Sequence, residues 1–175
     1  TDLMRHRIGS DNWWTYNTRN LDEDALLFLF EEFMESKEMF TKQTWLGVQM
    51  QQFPIDAMAI QSIIFQLRPK VIIETGTNNG GSALFFASML ELMGIDGRVV
   101  TVDVNTPEKN FIEEFTRLNP MENPLWDKRV DFIQGLSTDP KVLGEVRQRV
   151  EDILRSQSDE KESEKKEEHV NEGHV

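Results

Sequence analysis

Residues 70–103, KVIIETGTNNGGSALFFASMLELMGIDGRVVTVD, constrain the fold of this chain more than any other segment. They begin with a β-branched run at 71–73, which is typical of a strand buried on both faces. After a glycine-rich turn, apolar residues crowd the stretch 82–93 and predict a helix that stops at a glycine. Residues 98–102 predict a second strand that ends on Asp103. This order predicts a parallel βαβ unit with a ligand at the carboxyl ends of its strands.

The glycine-rich turn, GTNNGG at 76–81, restricts the kind of ligand. A dinucleotide fingerprint, GxGxxG, has a glycine at its middle position, but Asn78 stands there in this chain. A phosphate-binding P-loop also fails, because no Lys-Ser or Lys-Thr pair follows the glycines. The turn therefore suits a nucleoside that carries an amino acid better than one that carries phosphates.

Acidic residues close both predicted strands, Glu74 the first and Asp103 the second. By analogy with nucleotide-binding folds, Asp103 is expected to accept hydrogen bonds from both hydroxyls of a ribose. Glu74 would favour an ammonium group, whereas the amides of the turn and the helix N-terminus would favour a carboxylate. S-adenosylmethionine carries all three groups, so the sequence predicts it as the cofactor.

Three separate runs of the sequence resemble one known family. They are TWLGVQMQQFPID, IIETGTNNGGSALFFASML and QGLSTDP, and they follow one another within residues 44–150. They resemble the cephalosporin hydroxylase and rhamnosyl O-methyltransferase family, which are class I S-adenosylmethionine-dependent methyltransferases. The resemblance implies a Rossmann-like α/β fold and methyl transfer to a small hydroxylated or sugar-containing acceptor.

Two further segments complete the predicted cofactor site. The turn after Asp103 is expected to touch the edge of the ribose, and the resemblance places residues 135–137 against the adenine. A plain turn between a strand and a helix explains residues 135–137 about as well. No catalytic residue and no metal ligand is predicted. The predicted cofactor contacts are Glu74, Gly76, Thr77, Asn78, Gly80, Gly81, Ser82, Asp103, Val104, Gly135, Leu136 and Ser137.

Composition divides the chain into three parts. Residues 1–53 predict an N-terminal arm and a helix at 21–37, followed by a loop in which Trp45 either lines a pocket or packs structurally. Residues 54–154 predict a partial Rossmann-like domain that binds S-adenosylmethionine. Within that domain we expect helices at 54–67 and 108–118, a loop at 119–128, a third strand at 129–134 and a helix that begins at Pro140.

Residues 155–175 form an acidic, low-complexity tail that is rich in Glu and Lys and almost without apolar residues. Such a segment cannot offset its ordering entropy by burying apolar surface, so we expect disorder, as a solvated linker or a frayed helix. His169 and His174 are five residues apart and do not share one helical face, so a metal site is not predicted there.

The resemblance supplies only three strands of a sheet that has seven in class I methyltransferases. The aspartate, histidine and later acidic residues that complete a magnesium site and the acceptor pocket in relatives have no counterpart here. We therefore expect a fragment truncated after the third parallel strand, with magnesium bound only in a full-length relative. The first strand would then keep an open edge, which predicts poor solubility or a homo-oligomer.

Charge and composition exclude several classes of partner. The net charge is −12, which disfavours nucleic acid and anionic membranes. There is no cysteine, so neither disulfides nor thiolate metal sites form. No apolar run reaches membrane-spanning length and no signal peptide is visible, which predicts a cytoplasmic protein, although the sequence begins at Thr1 without an initiator methionine.

Three functions of different class are compatible with these patterns. The first is an S-adenosylmethionine-dependent O-methyltransferase, of which this chain is the cofactor-binding half. The second is a non-catalytic module that uses the fold to bind a partner through its open edge. The third, weaker, is a nicotinamide-dependent oxidoreductase, against which Asn78 argues.

Overall fold

A computed structural model describes residues 23–36, 39–110 and 118–172 of the chain. The chain divides into two units between Lys37 and Glu38. The described part of the first unit is one helix, α1 (Glu23–Ser36), which confirms the helix predicted there. The predicted arm that precedes it lies outside the described residues.

The second unit alternates strands and helices, as the sequence predicts for an α/β domain. Its described elements are α2 (Met39–Lys42), β1 (Thr44–Trp45), β2 (Val48–Gln49), α3 (Pro54–Leu67), β3 (Val71–Thr75), α4 (Gly81–Leu92), β4 (Arg98–Asp103), two 3-10 helices (Pro107–Asn110 and Pro120–Glu122), α5 (Pro124–Arg129), β5 (Val130–Gln134) and α6 (Pro140–Glu172).

The three longer strands form one parallel sheet in the order β3-β4-β5. Thr75 at the end of β3 pairs with Val102, and Asp103 at the end of β4 pairs with Gln134. The carboxyl ends of all three strands therefore lie side by side, which confirms the predicted Rossmann-like α/β arrangement. Among the described residues, β3 has a neighbouring strand on one side only.

Apolar side chains cover the sheet on both faces, because alternate residues of a strand point to opposite sides. Val99 of β4 belongs to a core with the buried residues of α4 and with Trp126. Val100 and Val102 point the other way and pack with Val142, Val146 and Ile153 of α6. Glu74, Thr101 and Asp103 occupy the same alternation as Val99, so their side chains lie on the α4 face.

Two segments predicted as loops contain regular structure, so these predictions were wrong. Residues 39–53 include the hairpin of β1 and β2, and residues 119–128 include a 3-10 helix and α5. In the second case Asn119 and Asn123 each cap a short helix, with their Oδ1 atoms accepting backbone N–H groups at 3.0 Å. The proline after each asparagine occupies a first helical position, where its missing N–H costs nothing.

The helix predicted at 108–118 is only partly described. Its beginning is a 3-10 helix, Pro107–Asn110, and residues 111–117 lie outside the described residues. The boundaries of the helix at 54–67 and of the third strand are confirmed within one residue.

The acidic tail differs from the disorder that its composition predicts, since α6 continues as helix to Glu172. Of the two forms expected for this segment, a linker or a frayed helix, the structure has the helix. Glu and Lys are strong helix formers, because their straight side chains lose little rotamer freedom in a helix and remain in solvent. His169 lies in this helix and His174 lies outside the described residues.

Within the part of the chain that the structure describes, no helix has the length and apolar character needed to cross a bilayer.

Candidate functional site

The candidate site lies where β3 and β4 end and α4 begins. Glu74 pairs with Thr101 across the sheet, one residue before the end of β3, and Asp103 ends β4. Because both carboxylates lie on the α4 face, they flank the glycine-rich turn that connects β3 to α4. The arrangement that the sequence predicts at the strand ends is thus present, with the turn between the two acids.

The Glu74 carboxylate is held by hydroxyl groups on both of its oxygens. Ser82 in the first turn of α4 donates to Oε1 at 2.5 Å, and Thr101 donates to Oε2 at 2.6 Å. The Thr101 hydroxyl is also 2.7 Å from that of Thr77, which belongs to the turn. Glu74 is therefore anchored to the helix, the neighbouring strand and, through Thr101, the turn.

Burial raises the pKa of the Glu74 carboxyl above its ordinary value. The hydrogen bonds from Ser82 and Thr101 act in the opposite direction, since they stabilise the ionised form, and the negative charge of Asp103 adds to the rise. An ammonium group at the mouth of this site would be attracted to the ionised form of Glu74.

Backbone amides hold the Asp103 carboxylate at the tip of β4. Asn78 N donates to Oδ2 at 2.8 Å, and Asn105 N donates to Oδ1 at 3.1 Å. A carboxylate oxygen can accept more than one hydrogen bond, so both oxygens of Asp103 can accept further donors. Asp103 is half-buried, and it therefore offers fixed acceptors to a polar ligand at the edge of the sheet.

The first part of the turn faces solvent. Gly76 is exposed and has a φ of 86°, and a Cβ built there would meet no heavy atom of the described residues within 4 Å. Asn78 also has a left-handed backbone, with a φ of 48°. Asparagine tolerates this region better than most residues, so the chain makes the turn without a glycine at that position. We call Gly76, Asn78 and Asp103 the open half of the site.

The second part of the turn is covered by protein. A Cβ at Gly80 would lie 2.8 Å from the Trp126 ring, and one at Gly81 would lie 2.1 Å from the Gln49 carbonyl oxygen. Close packing against α5 at Gly80 and against β2 at Gly81 is therefore sufficient to explain why both positions are glycine. Their predicted contact with a cofactor stays a prediction. We call Glu74, Thr77, Gly80, Gly81 and Ser82 the covered half.

The residues predicted to lie against ribose and adenine are brought beside Asp103. Val104, Leu136 and Ser137 are exposed at the ends of β4 and β5. Gly135 N donates to the Asp103 carbonyl oxygen at 2.7 Å, which fixes the start of the turn after β5. A Cβ at Gly135 would lie 2.4 Å from Val142, so this glycine also allows close packing against α6.

One residue of the site was missed from the sequence. Thr101 is a fully buried polar residue within the otherwise apolar run VVTV, and that exception was a usable signal. Asn105 lies in the turn after Asp103 that was expected to touch the ribose, and its backbone amide donates to the Asp103 carboxylate.

Trp45 has the contacts of a packing residue. Its Nε1 donates to the Ser88 hydroxyl at 2.9 Å, and its ring meets Phe85 edge to face at 5.0 Å. These partners lie on α4, so the hairpin is fastened to the helix that starts at the site. Of the two roles left open by the sequence, the structure supports the structural one.

No cluster of three or more His, Cys, Asp or Glu side chains suited to a metal ion occurs in residues 23–36, 39–110 and 118–172.

Comparisons with known proteins agree with the sequence pattern. The chain is 28% identical over 123 residues to the rhamnosyl O-methyltransferases of Mycobacterium tuberculosis H37Rv and Mycobacterium bovis BCG, which covers 70% of this chain and 46% of theirs. The Mycobacterium leprae rhamnosyl O-methyltransferase is 26% identical over 124 residues, covering 71% of this chain and 49% of its own length. The chain thus spans about half the length of the curated relatives it matches.

Solved structures of CmcI are also similar. One with Mg and SAM is 24% identical, with a TM-score of 0.48, over 60% of this chain and 40% of the other. One with SAH is 24% identical, with a TM-score of 0.44, over 57% of this chain and 43% of the other. The sequence profile described as Rhamnosyl O-methyltransferase/CmcI matches residues 37–172, most of the chain. The chain therefore belongs to the Rhamnosyl O-methyltransferase/CmcI family.

Proposed function

We propose that this chain binds S-adenosylmethionine as the cofactor-binding part of an O-methyltransferase that acts on a small hydroxylated or sugar-containing acceptor. Membership of the Rhamnosyl O-methyltransferase/CmcI family supports the cofactor and the reaction class. The names of the mycobacterial relatives support a sugar hydroxyl as the acceptor.

The observation that carries this proposal is the geometry of Asp103. Its carboxylate is fixed by the amides of Asn78 and Asn105 at the end of a parallel strand. Both carboxylate oxygens can still accept hydrogen bonds from a ligand. A ribose presents two adjacent hydroxyl donors, which one carboxylate can accept together. The exposed ends of β4 and β5 would then flank the base.

The other end of the cofactor would lie along the turn. Gly76 leaves its surroundings open, so backbone can approach a ligand there without a side chain in the way. Glu74 supplies negative charge for an ammonium group, and the start of α4 supplies amides for a carboxylate. When bound, S-adenosylmethionine supplies a methyl group already activated on a sulfonium.

The contribution of these residues is binding and orientation. Alignment of an acceptor oxygen and removal of its proton are the remaining requirements of methyl transfer, and they depend on groups that touch the acceptor. We assign no catalytic residue in this chain. Magnesium, named for one CmcI structure, is likewise not assigned to residues here.

Titration calorimetry with S-adenosylmethionine tests the proposal. The chain should bind saturably, and Asp103→Asn should weaken binding by about tenfold or more, because an amide loses charge-assisted acceptors for the ribose. Asp152→Asn, which removes the same charge at an exposed position of α6, is the matched control and should leave the affinity unchanged. Absence of saturable binding to a folded wild-type chain would refute the proposal.

A second candidate function is a non-catalytic binding module. It is favoured by the single neighbour of β3 among the described strands and by the exposure of Ile73, at 56%, on that strand. Unpaired strand edges recruit further chains, including a second copy of the same one. Light scattering at rising concentration should show self-association, and a sharp monomer peak at high concentration would count against this function.

Nicotinamide-dependent oxidation is the third candidate. Asn78 has the left-handed backbone of a glycine, but it places a side chain where a dinucleotide fingerprint needs close approach to the pyrophosphate. We therefore expect no saturable change in NADH fluorescence on titration with the chain, and a saturable change would restore this function.

A further inference from the structure

Thr101 is buried at the centre of the site, although it is not among the predicted cofactor contacts. Its side chain is fully shielded from solvent in the middle strand of the sheet. Its hydroxyl donates to Glu74 Oε2 and lies 2.7 Å from the Thr77 hydroxyl. Since a threonine has one hydroxyl proton and Thr101 gives it to Glu74, Thr77 is the donor in the second bond.

Packing alone does not explain a threonine at this position. The neighbouring strand residues Val99, Val100 and Val102 are all buried valines, and valine has nearly the same shape as threonine. A buried hydroxyl costs free energy unless its hydrogen bonds are made. Here both are made, to a carboxylate and to the turn, so the hydroxyl of Thr101 connects two parts of the site that a valine would leave separate.

We propose that Thr101 is a positioning residue of the cofactor site, which fixes the Glu74 carboxylate and the turn relative to each other; this inference rests on the proposed binding of S-adenosylmethionine. Thr101 pairs with Glu74 in the sheet register, so its hydroxyl acts across a fixed separation. Ser82 holds the other carboxylate oxygen from α4. The two donors together leave Glu74 one orientation in which to receive an ammonium group.

The same contacts control the ionisation of Glu74. Burial raises the pKa of Glu74. Among the described residues, the hydroxyls of Ser82 and Thr101 lower this pKa, and the negative charge of Asp103 on β4 raises it. Loss of the Thr101 donor would raise the pKa of Glu74 further, because it removes a stabiliser of the ionised form. Cofactor binding through an ammonium group would then require a higher pH.

The test compares Thr101→Val and Thr101→Ser in the full chain. Calorimetry with S-adenosylmethionine across a pH series should show binding that is about tenfold weaker at neutral pH for Thr101→Val, with its loss on acidification moved to higher pH. Thr101→Ser keeps the hydroxyl and should bind like the wild type. Without ligand, carbon NMR of the Glu74 carboxyl should show titration at higher pH in Thr101→Val alone.

These readouts separate the two proposals. If the wild-type chain does not bind S-adenosylmethionine, the proposed function fails, but the ligand-free titration of Glu74 still tests Thr101. An unchanged titration in folded Thr101→Val would overturn the positioning role. If Thr101→Val does not fold, Thr77→Val offers a second test, because it removes the hydrogen bond between the hydroxyls of Thr77 and Thr101. This variant should also raise the pKa of Glu74, but by less than Thr101→Val. An unchanged pKa would overturn the positioning role.

Discussion

The two halves of the site differ in what determines their shape. In the covered half, Glu74 is held by two hydroxyls and Gly81 is pressed against the backbone of β2. In the open half, among the described residues, Asp103 accepts hydrogen bonds from two backbone amides, and no atom lies within 4 Å of a Cβ built at Gly76. Packing and hydrogen bonds within the protein therefore account for the covered half, whereas the open half keeps acceptor capacity at Asp103 and open space beside Gly76.

This difference assigns the two strand-end acids distinct tasks. Both acids close a predicted strand and both flank the turn, so the sequence alone does not distinguish them. The structure instead bonds Glu74 to the side-chain hydroxyls of Ser82 and Thr101, whereas Asp103 accepts hydrogen bonds from backbone amides at the end of β4. Substitution of Gly81, which is packed against β2, should therefore act mainly on stability, and substitutions in the open half should act mainly on binding.

The largest effect is expected for Gly81→Ala. Its Cβ would lie 2.1 Å from the Gln49 carbonyl oxygen, so the hairpin or α4 must move, at a cost of about 3 kcal/mol or more. Gly144→Ala is the control, because a Cβ there meets nothing within 4 Å and alanine favours the interior of α6, with a gain of about 0.5–1 kcal/mol. Urea unfolding measures both. Equal unfolding free energies of the two variants would show that Gly81 is not packed against β2, and the covered half would then not differ from the open half.

A smaller effect is expected for Gly76→Ala, in the open half. No atom obstructs the added Cβ, but the φ of 86° is unfavourable for alanine and costs about 1 kcal/mol. The added methyl group would stand where a ligand is proposed to approach, so S-adenosylmethionine affinity should fall by more than stability does. Loss of stability as large as that of Gly81→Ala would show that this position is not open.

The smallest effect on stability is expected for Glu74→Gln, and it should depend on pH. Burial raises the pKa of Glu74 above 4.5, so the folded chain holds this proton more tightly than the unfolded chain. The stability that this provides is complete below pH 4.5 and is lost as the pH rises through the raised pKa. Glutamine does not titrate, so the variant should gain stability relative to the wild type over that window.

Urea unfolding at a series of pH values measures this difference, with Glu145→Gln at an exposed position of α6 as the control. A Glu74→Gln variant whose unfolding free energy stays parallel to that of the wild type from acid to neutral pH would show that Glu74 is not buried as described.

The sequence was sufficient for the βαβ unit because its signals are local. The β-branched run at 71–73, the glycines and the apolar helix each follow from composition and spacing, and so does the position of Asp103. The hairpin before α3 was missed, since β1 and β2 have two residues each and no alternation can be seen over that length. Asn119 and Asn123 were interpreted as loop residues although each caps a short helix.

The partition of the site into two halves was not predictable, because it depends on contacts between distant segments. Gly80 meets Trp126 of α5 and Gly81 meets Gln49 of β2, and neither partner is near the turn in sequence. In the same way, the role of Thr101 requires the register of β3 and β4. The sequence therefore predicted cofactor contacts along the whole turn, whereas packing is sufficient to explain the glycines in its second part.

The most direct test of the cofactor site is an amide NMR titration of the chain with S-adenosylmethionine. The ligand should perturb the amides of the open half and its rim, at Gly76, Asn78, Asn105 and Gly135, in a saturable way that Asp103→Asn suppresses. Saturable changes centred away from the ends of β3, β4 and β5, or none at all, would contradict the assignment.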